Sequence, residues 1–411
     1  MTKKKDNNIE LSESERDQRR KFLKQVVVTG SGAVTFVKSA QANTDALPSV
    51  ISLLLDDDGE CPTQLSSADT YSPAAAADTP QEICIPANAN FIEIVANGAG
   101  GAGAPSLTTE ASELAAGASG GYGGAVRAIY DIGSQFSDSD VLTARVGRGG
   151  GIATEPGDTA PGGDFDGGDG GGTVFVNPSE FNYGGTSGGG GGGYAAVWRN
   201  TEPYVVAGGG GGAGGGYVGE SGNFSGGKGG QGGTYDNESI DRGGENGKPN
   251  FFSGGAGGNV VYNEGFPYTS QDSLGGRGAG NVPGLTGDAG EGTVGGLGAS
   301  NTSAESVFDT GGAGGGGGAG HQSAGFFGAG GGGGAGSGGS GGGGAGGANY
   351  LYTEGALSGS TLVYGEGGAG AAGGRGGRAG EVGEVAVVDT LGKPGEDASI
   401  IVTFYESDPT V

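Results

Sequence analysis

The run Tyr204, Val205, Val206, Ala207 leads directly into five glycines, an alanine and three more glycines. That junction limits what the chain can become. Glycine loses more backbone freedom on folding than any other residue and brings no side chain to pack. A buried strand that passes into polyglycine is therefore neither ordinary loop nor helix. Glycine supplies 106 of the 411 residues, without collagen's strict repeat, and disorder is the default for such a composition. Order requires backbone hydrogen bonds in place of side-chain contacts. Polyproline II segments laid side by side can supply them, since that helix makes no internal bonds and glycine lets neighbouring backbones approach.

Short apolar or alternating segments punctuate the glycine tracts: 82–86, 91–96, 125–130, 141–146, 173–176, 195–199, 204–206 and 398–405, with weaker candidates at 361–364 and 382–388. Each is bounded by Gly, Pro, Asn or Asp, which predicts an antiparallel β-sandwich with no helix after the leader. The expected organisation is a leader at 1–42, a flexible polar and acidic arm at 43–80, and a glycine-rich domain at 81–411. Within that domain, strands at 82–206 and 398–405 form the sandwich, and about 207–397 form a glycine-rich insertion.

The leader carries Arg19, Arg20, Lys21, Phe22, Leu23 and Lys24, which closely resembles the twin-arginine export signature. A mildly apolar stretch from Val26 to Val37 follows, and Ala40-Gln41-Ala42 fits a small-residue cleavage site. An ordinary secretory signal or an uncleaved anchor is the alternative, although the apolar stretch is too short and too polar to span a bilayer. The expected location is periplasmic or extracellular, with the twin-arginine translocase as a partner during export and no stable membrane anchor.

Net charge is −26. The leader holds nine basic and five acidic residues, leaving 41 acidic against 11 basic. That balance disfavours nucleic acid and anionic membranes as partners and favours solubility. One His, two Cys and one Met are too few for a haem, iron–sulfur or zinc centre. Cys61 and Cys84 fit a disulfide in an oxidising compartment, with a pair of free thiols as the alternative.

FIEIVANGAGGAG, GGDGGGTVFV, YVVAGGGGGAGGG, GGGGAGGANY and ASIIVTFYE together resemble the glycine-rich domain of the anaplastic lymphoma and leukocyte tyrosine kinase receptors. The resemblance spans about residues 82–405. It implies a jelly roll similar to tumour necrosis factor that carries an inserted bundle of polyproline II helices. The chain has neither the receptors' transmembrane helix nor their kinase, so cytokine binding and signalling are not implied.

Candidate chemistry is sparse. Asp164, Asp166 and Asp169 place three carboxylates at short spacing, a calcium candidate set against a solvated turn. His321 has no Ser, Cys or Asp constellation around it. Aromatic residues punctuate the glycine region, and Phe326-Phe327 is the recognition candidate if exposed at a loop tip; packing over glycine backbone is the alternative for all of them. We expect a non-enzymatic, exported structural or adhesive protein that attaches to a surface, a glycan or another protein. An ice-binding module is the binding alternative, and a carboxylate hydrolase, which would need paired buried acids, is the enzyme alternative.

The exported chain should begin at Asn43 and carry a Cys61–Cys84 disulfide, both read from its intact mass before and after reduction and alkylation. Replacing Arg19 and Arg20 together with Lys should strand the precursor in the cytoplasm. Normal export of that variant, or two alkylatable thiols without reduction, would contradict the respective claim.

Overall fold

The computed structural model describes residues 68–108, 114–115, 117–137, 139–154, 158–173, 184–219, 222–233, 287–288, 293–300, 312–320, 340–363 and 392–410. The chain divides into two units, Met1–Asp57 and Asp58–Val411, and all of these residues belong to the second.

The alternating stretches of sequence form strands. In chain order they are β1 (Asp69–Tyr71), β2 (Gln81–Ile83), β3 (Phe91–Asn97), β4 (Leu107–Thr108), β5 (Leu114–Ala115), β6 (Ala125–Asp131) and β7 (Leu142–Val146). There follow β8 (Gly184–Gly185), β9 (Ala195–Arg199), β10 (Glu202–Ala207), β11 (Tyr217–Gly219), β12 (Gly222–Phe224), β13 (Tyr350–Leu351), β14 (Thr361–Val363) and β15 (Ser399–Tyr405). Two five-stranded antiparallel sheets result, ordered β1-β15-β3-β6-β14 and β13-β10-β9-β7-β2. The all-β expectation holds. Among the described residues the one departure is a single helical turn, α1 (Ile132–Gln135), capped by the Asp131 carboxylate, which accepts a hydrogen bond from the Ser134 amide.

The two sheets share one core. Residues of β3 and β15 alternate between buried and half-buried, and the register pairs Ile92 with Phe404, Ile94 with Val402 and Ala96 with Ile400. From the second sheet, Leu142, Ala144, Val146, Val197 and Val205 close over them. The uninterrupted apolar run of β10 has its reason here. Val205 faces this shared core, while Val206 turns to a second cluster with Phe165, Tyr194, Ala196 and Ala319. The strand is covered on both faces, so polar alternation disappears.

Beyond the strands the two sheets close on each other. Packed sheets sit about 10 Å apart because side chains fill the gap. Once β3, β7 and β10 run into glycine, and where glycine precedes β6, β9 and β15, nothing fills it and the backbones meet. Ala99, following β3, donates to Gly193 O, which precedes β9, at 3.1 Å; Gly124 donates to Gly208 O at 2.7 Å; Ala398 donates to Gly147 O at 3.0 Å. Each of these bonds joins a continuation of one sheet to a continuation of the other.

The result is a lattice of glycine segments with a repeat of three. Along 207–216, Gly209, Gly212 and Gly215 donate to Ala319, Gly316 and Ala313; Gly210 and Ala213 donate to Ala99 and Ala102; Gly211 and Gly214 donate to Gly230 and Gly227. The same segment accepts from 341–347, 189–192 and 121–124. Those six neighbours are also hydrogen-bonded to each other in a closed ring around it. Segment 186–193 is enclosed in the same way by 210–216, 313–319, 168–171, 163, 148–151 and 99–102.

Two expected boundaries need revision. Glycine segments are not confined to 207–397: 98–104, 118–124, 147–151, 161–172 and 186–193 form much of the lattice, while β13 and β14 of the expected insertion belong to the sheets. The arm expected at 43–80 ends in ordered structure. Its β1 pairs with β15, Arg148 donates to Ala74 O at 3.0 Å, and the Asp78 carboxylate accepts from the Phe165 amide at 2.5 Å. Strand candidates at 174–176 and 382–388 lie outside the described residues.

A Cβ added at Gly211 would overlap the carbonyl of Gly344, and backbone inside a lattice cannot move aside as a side-chain tip can. We expect Gly211→Ala to destabilise the protein by about 1–3 kcal/mol, the usual cost of overpacking. Lys228→Ala, at an exposed position, should stay within about 0.5 kcal/mol of the parent. Chemical denaturation of both variants checks the contrast.

Candidate binding surface

The lattice decides where side chains are allowed. Inside it, alanine is the largest residue that recurs, grouped where methyls meet, as with Ala104, Ala118 and Ala213. Two buried polar side chains serve as end caps for the central segment. The Asn349 carboxamide oxygen accepts from the Gly208 amide at 2.8 Å while its nitrogen donates to Ala125 O at 3.0 Å. At the other end the Thr186 hydroxyl accepts from the Gly216 amide at 2.8 Å. Sequence reasoning singled out the GGAGGANY exit without assigning a role to its asparagine. The signal was there, as Asn349 is the polar residue that ends a long run of Gly and Ala.

Other side chains reach the outside at every third residue. Ser119 and Tyr122 are exposed on segment 118–124, Lys228 is exposed on the adjoining segment 225–232, and Val294 and Leu297 are exposed on segment 293–300. Gly229 donates to Ser119 O at 3.1 Å and Gly232 to Tyr122 O at 2.8 Å. These bonds run parallel, so Lys228 stands near the level of Ser119, and Gln231 near that of Tyr122. In a three-residue repeat the two levels lie about 9 Å apart, at about 3.1 Å per residue. Together the two segments present Ser119, Tyr122 and Lys228 on one face.

The three carboxylates of the calcium candidate do not converge. Asp164 pairs with Arg148 at 3.3 Å, Asp166 accepts from the Thr293 hydroxyl at 2.6 Å, and Asp169 accepts from the Gly162 amide at 2.7 Å. Burial raises the pKa of Asp164, Arg148 opposes that, and Asp78 and Asp397 add to it, leaving the pKa above its ordinary value. The Arg148 guanidinium already occupies that carboxylate as its cation partner. Among the described residues no three His, Cys, Asp or Glu side chains form a metal-binding group. The turn serves packing instead: Phe165 and Asp166 adopt φ of 55° and 73°, and the Phe165 ring lies 5.7 Å from that of Tyr194.

Aromatic packing accounts for the described rings of the glycine region. Tyr217 is buried, Tyr350 packs against the Val206 cluster, and Tyr352 stacks on Tyr204 at 4.7 Å. On the second sheet the Arg145 guanidinium lies 4.3 Å from the centre of the Trp198 ring. On the first sheet, Glu93 accepts from Arg127 and from the Tyr405 hydroxyl, each at 2.6 Å. Burial alone would raise the Glu93 pKa, but those hydrogen bonds and the Arg127 charge outweigh it and hold the carboxyl below its ordinary value. The buried polar side chains among the described residues are Ser106, Thr173, Thr186, Ser187, Ser340 and Asn349, none of them an acid.

Phe326, Phe327, His321, Cys61, and the leader residues Arg19, Arg20, Phe22, Leu23, Ala40 and Ala42 lie outside the described residues. Cys84 follows β2, half-buried, and is not a free thiol. Among the described residues no helix is long and apolar enough to cross a membrane. No protein-family model matches the chain, and no curated protein matches it either.

Asn349→Ala should destabilise the protein by about 1–3 kcal/mol for each of the two groups it orphans, the Gly208 amide and the Ala125 carbonyl. Thermal unfolding checks this; a variant as stable as the parent would show that the junction does not depend on the carboxamide.

Proposed function

We propose that this chain is an exported, non-enzymatic structural or adhesive protein: a jelly-roll-like sandwich carrying a polyproline II bundle that presents a rigid surface to a partner, a glycan or a solid surface. One observation carries the reading. Segment 207–216 is enclosed by six others through backbone hydrogen bonds, and its donors change partner with a repeat of three, which matches the three residues per turn of polyproline II. Such a bundle is stiff and chemically plain. Among its described residues the interior is mostly backbone amides and methyl groups, and its buried polar side chains are Ser, Thr and Asn, none of them an acid.

Export by the twin-arginine route suits a chain of this kind, because contacts between residues as distant as Ala99 and Gly193 or Gly100 and Glu396 must form together, and non-local topologies fold slowly. A disulfide between Cys61 and Cys84 would tie the segment before β1 to the strand that follows. Phe326 and Phe327, which lie in sequence between lattice segments 312–320 and 340–349, are the proposed attachment residues.

Hydrogen exchange tests the architecture. Amides of 208–216, 313–319 and 341–347 should exchange as slowly as those of β3 and β15, with a polyproline circular dichroism component lost cooperatively on heating. Rapid exchange through the glycine segments would overturn the rigid-surface reading. Replacing Phe326 and Phe327 with Ala should then reduce retention on the glycans or surfaces the parent binds without lowering its melting temperature. Unchanged retention would remove them as the attachment site.

A further inference from the structure

A lattice of glycine segments is self-complementary. Any segment can stand beside any other, since recognition runs through backbone groups that every residue has. A bare glycine segment at the boundary would therefore accept a segment of a second copy, much as an exposed sheet edge accepts a strand. The boundary is not bare. Among the described residues of the lattice, every exposed position carries a side chain, among them Pro161, Val294 and Leu297 along one part of the boundary, Ser119, Tyr122 and Lys228 along another, and Lys393 and Glu396 along a third. The glycines of these segments are buried or half-buried, and none is exposed.

We propose that these outward side chains close the lattice against growth, so that a latent docking surface for a second copy of this chain is kept shut. Inside the lattice a Cβ overlaps a neighbouring carbonyl, as at Gly121 against Gly230 or Gly229 against Gly211. A Cβ at an outward position sits where the next segment's backbone would have to lie. Segments 118–124 and 225–232 illustrate it best, because Ser119 and Tyr122 on one and Lys228 on the other obstruct the same face. What they supply is bulk, and the protein remains a discrete particle rather than a laterally growing one.

The test compares glycine with alanine at the same three positions in the full chain. With Ser119, Tyr122 and Lys228 all replaced by Gly, the weight-average sedimentation coefficient should shift upward with concentration. With all three replaced by Ala it should stay at the concentration-independent value of the parent, since a single Cβ is enough to keep the backbones apart. Circular dichroism melting establishes that both variants are folded. Should the threefold glycine variant fail to fold, Tyr122→Gly against Tyr122→Ala makes the same comparison at one level. A folded glycine variant that sediments as the parent does, or an alanine variant that associates equally, overturns the proposal. Association of the parent itself through this face, shown by cross-links at Lys228 between copies, overturns it too.

Discussion

The hydrogen bond between backbones of adjacent glycine segments is what the rest of this protein depends on. Ordering a glycine-rich chain costs more entropy per residue than ordering any other, and no side chains are present to offset that cost by burial. Each lateral bond contributes modestly, about 0.5–1.5 kcal/mol net, so only a dense array suffices. Enclosure of 207–216 and of 186–193 on all sides is that array. It is also an all-or-none arrangement, because a segment's donors and acceptors are satisfied by several neighbours at once.

The sandwich and the lattice are one structure under two conditions. Where the strands carry Ile, Val, Leu and Phe, the sheets stand apart and a hydrophobic core fills the space. Where the same strands continue as glycine, the sheets approach until their backbones bond directly, as Ala99 does with Gly193 and Gly124 with Gly208. The change needs polar groups to satisfy amides that fall between the two patterns. Asn349 and Thr186 do this at the two ends of the central segment, the first joining β6 to the lattice.

Function follows from what such a body can and cannot do. Among the described residues no acid is buried, and the carboxylates near 164–169 engage an ion pair, a hydroxyl and an amide. What it offers is a stiff boundary whose side chains recur at intervals fixed by the backbone, in a chain acidic enough to stay dispersed. Those attributes support the attachment role proposed above.

The strands were legible in the sequence because alternation and bounding turn residues are local signals: β3, β6, β7, β9, β10 and β15 fall within a residue or two of where apolar patterning put them. The glycine junction after Ala207 likewise announced backbone packing in place of side-chain packing. Sequence alone did not reveal that β1 lies within the polar arm, since its three residues pair along an edge without a buried face of their own. Nor did it reveal that early and late glycine tracts interleave in one lattice. Polyglycine carries no pattern that names its neighbour; which segment stands beside which is decided by the sheets, whose strand order delivers each glycine run to its place. The meaning of isolated side chains was tertiary for the same reason. Asn349, Thr186, Tyr122 and Lys228 look alike as interruptions of glycine, and only the lattice separates the caps within it from the side chains that close its boundary.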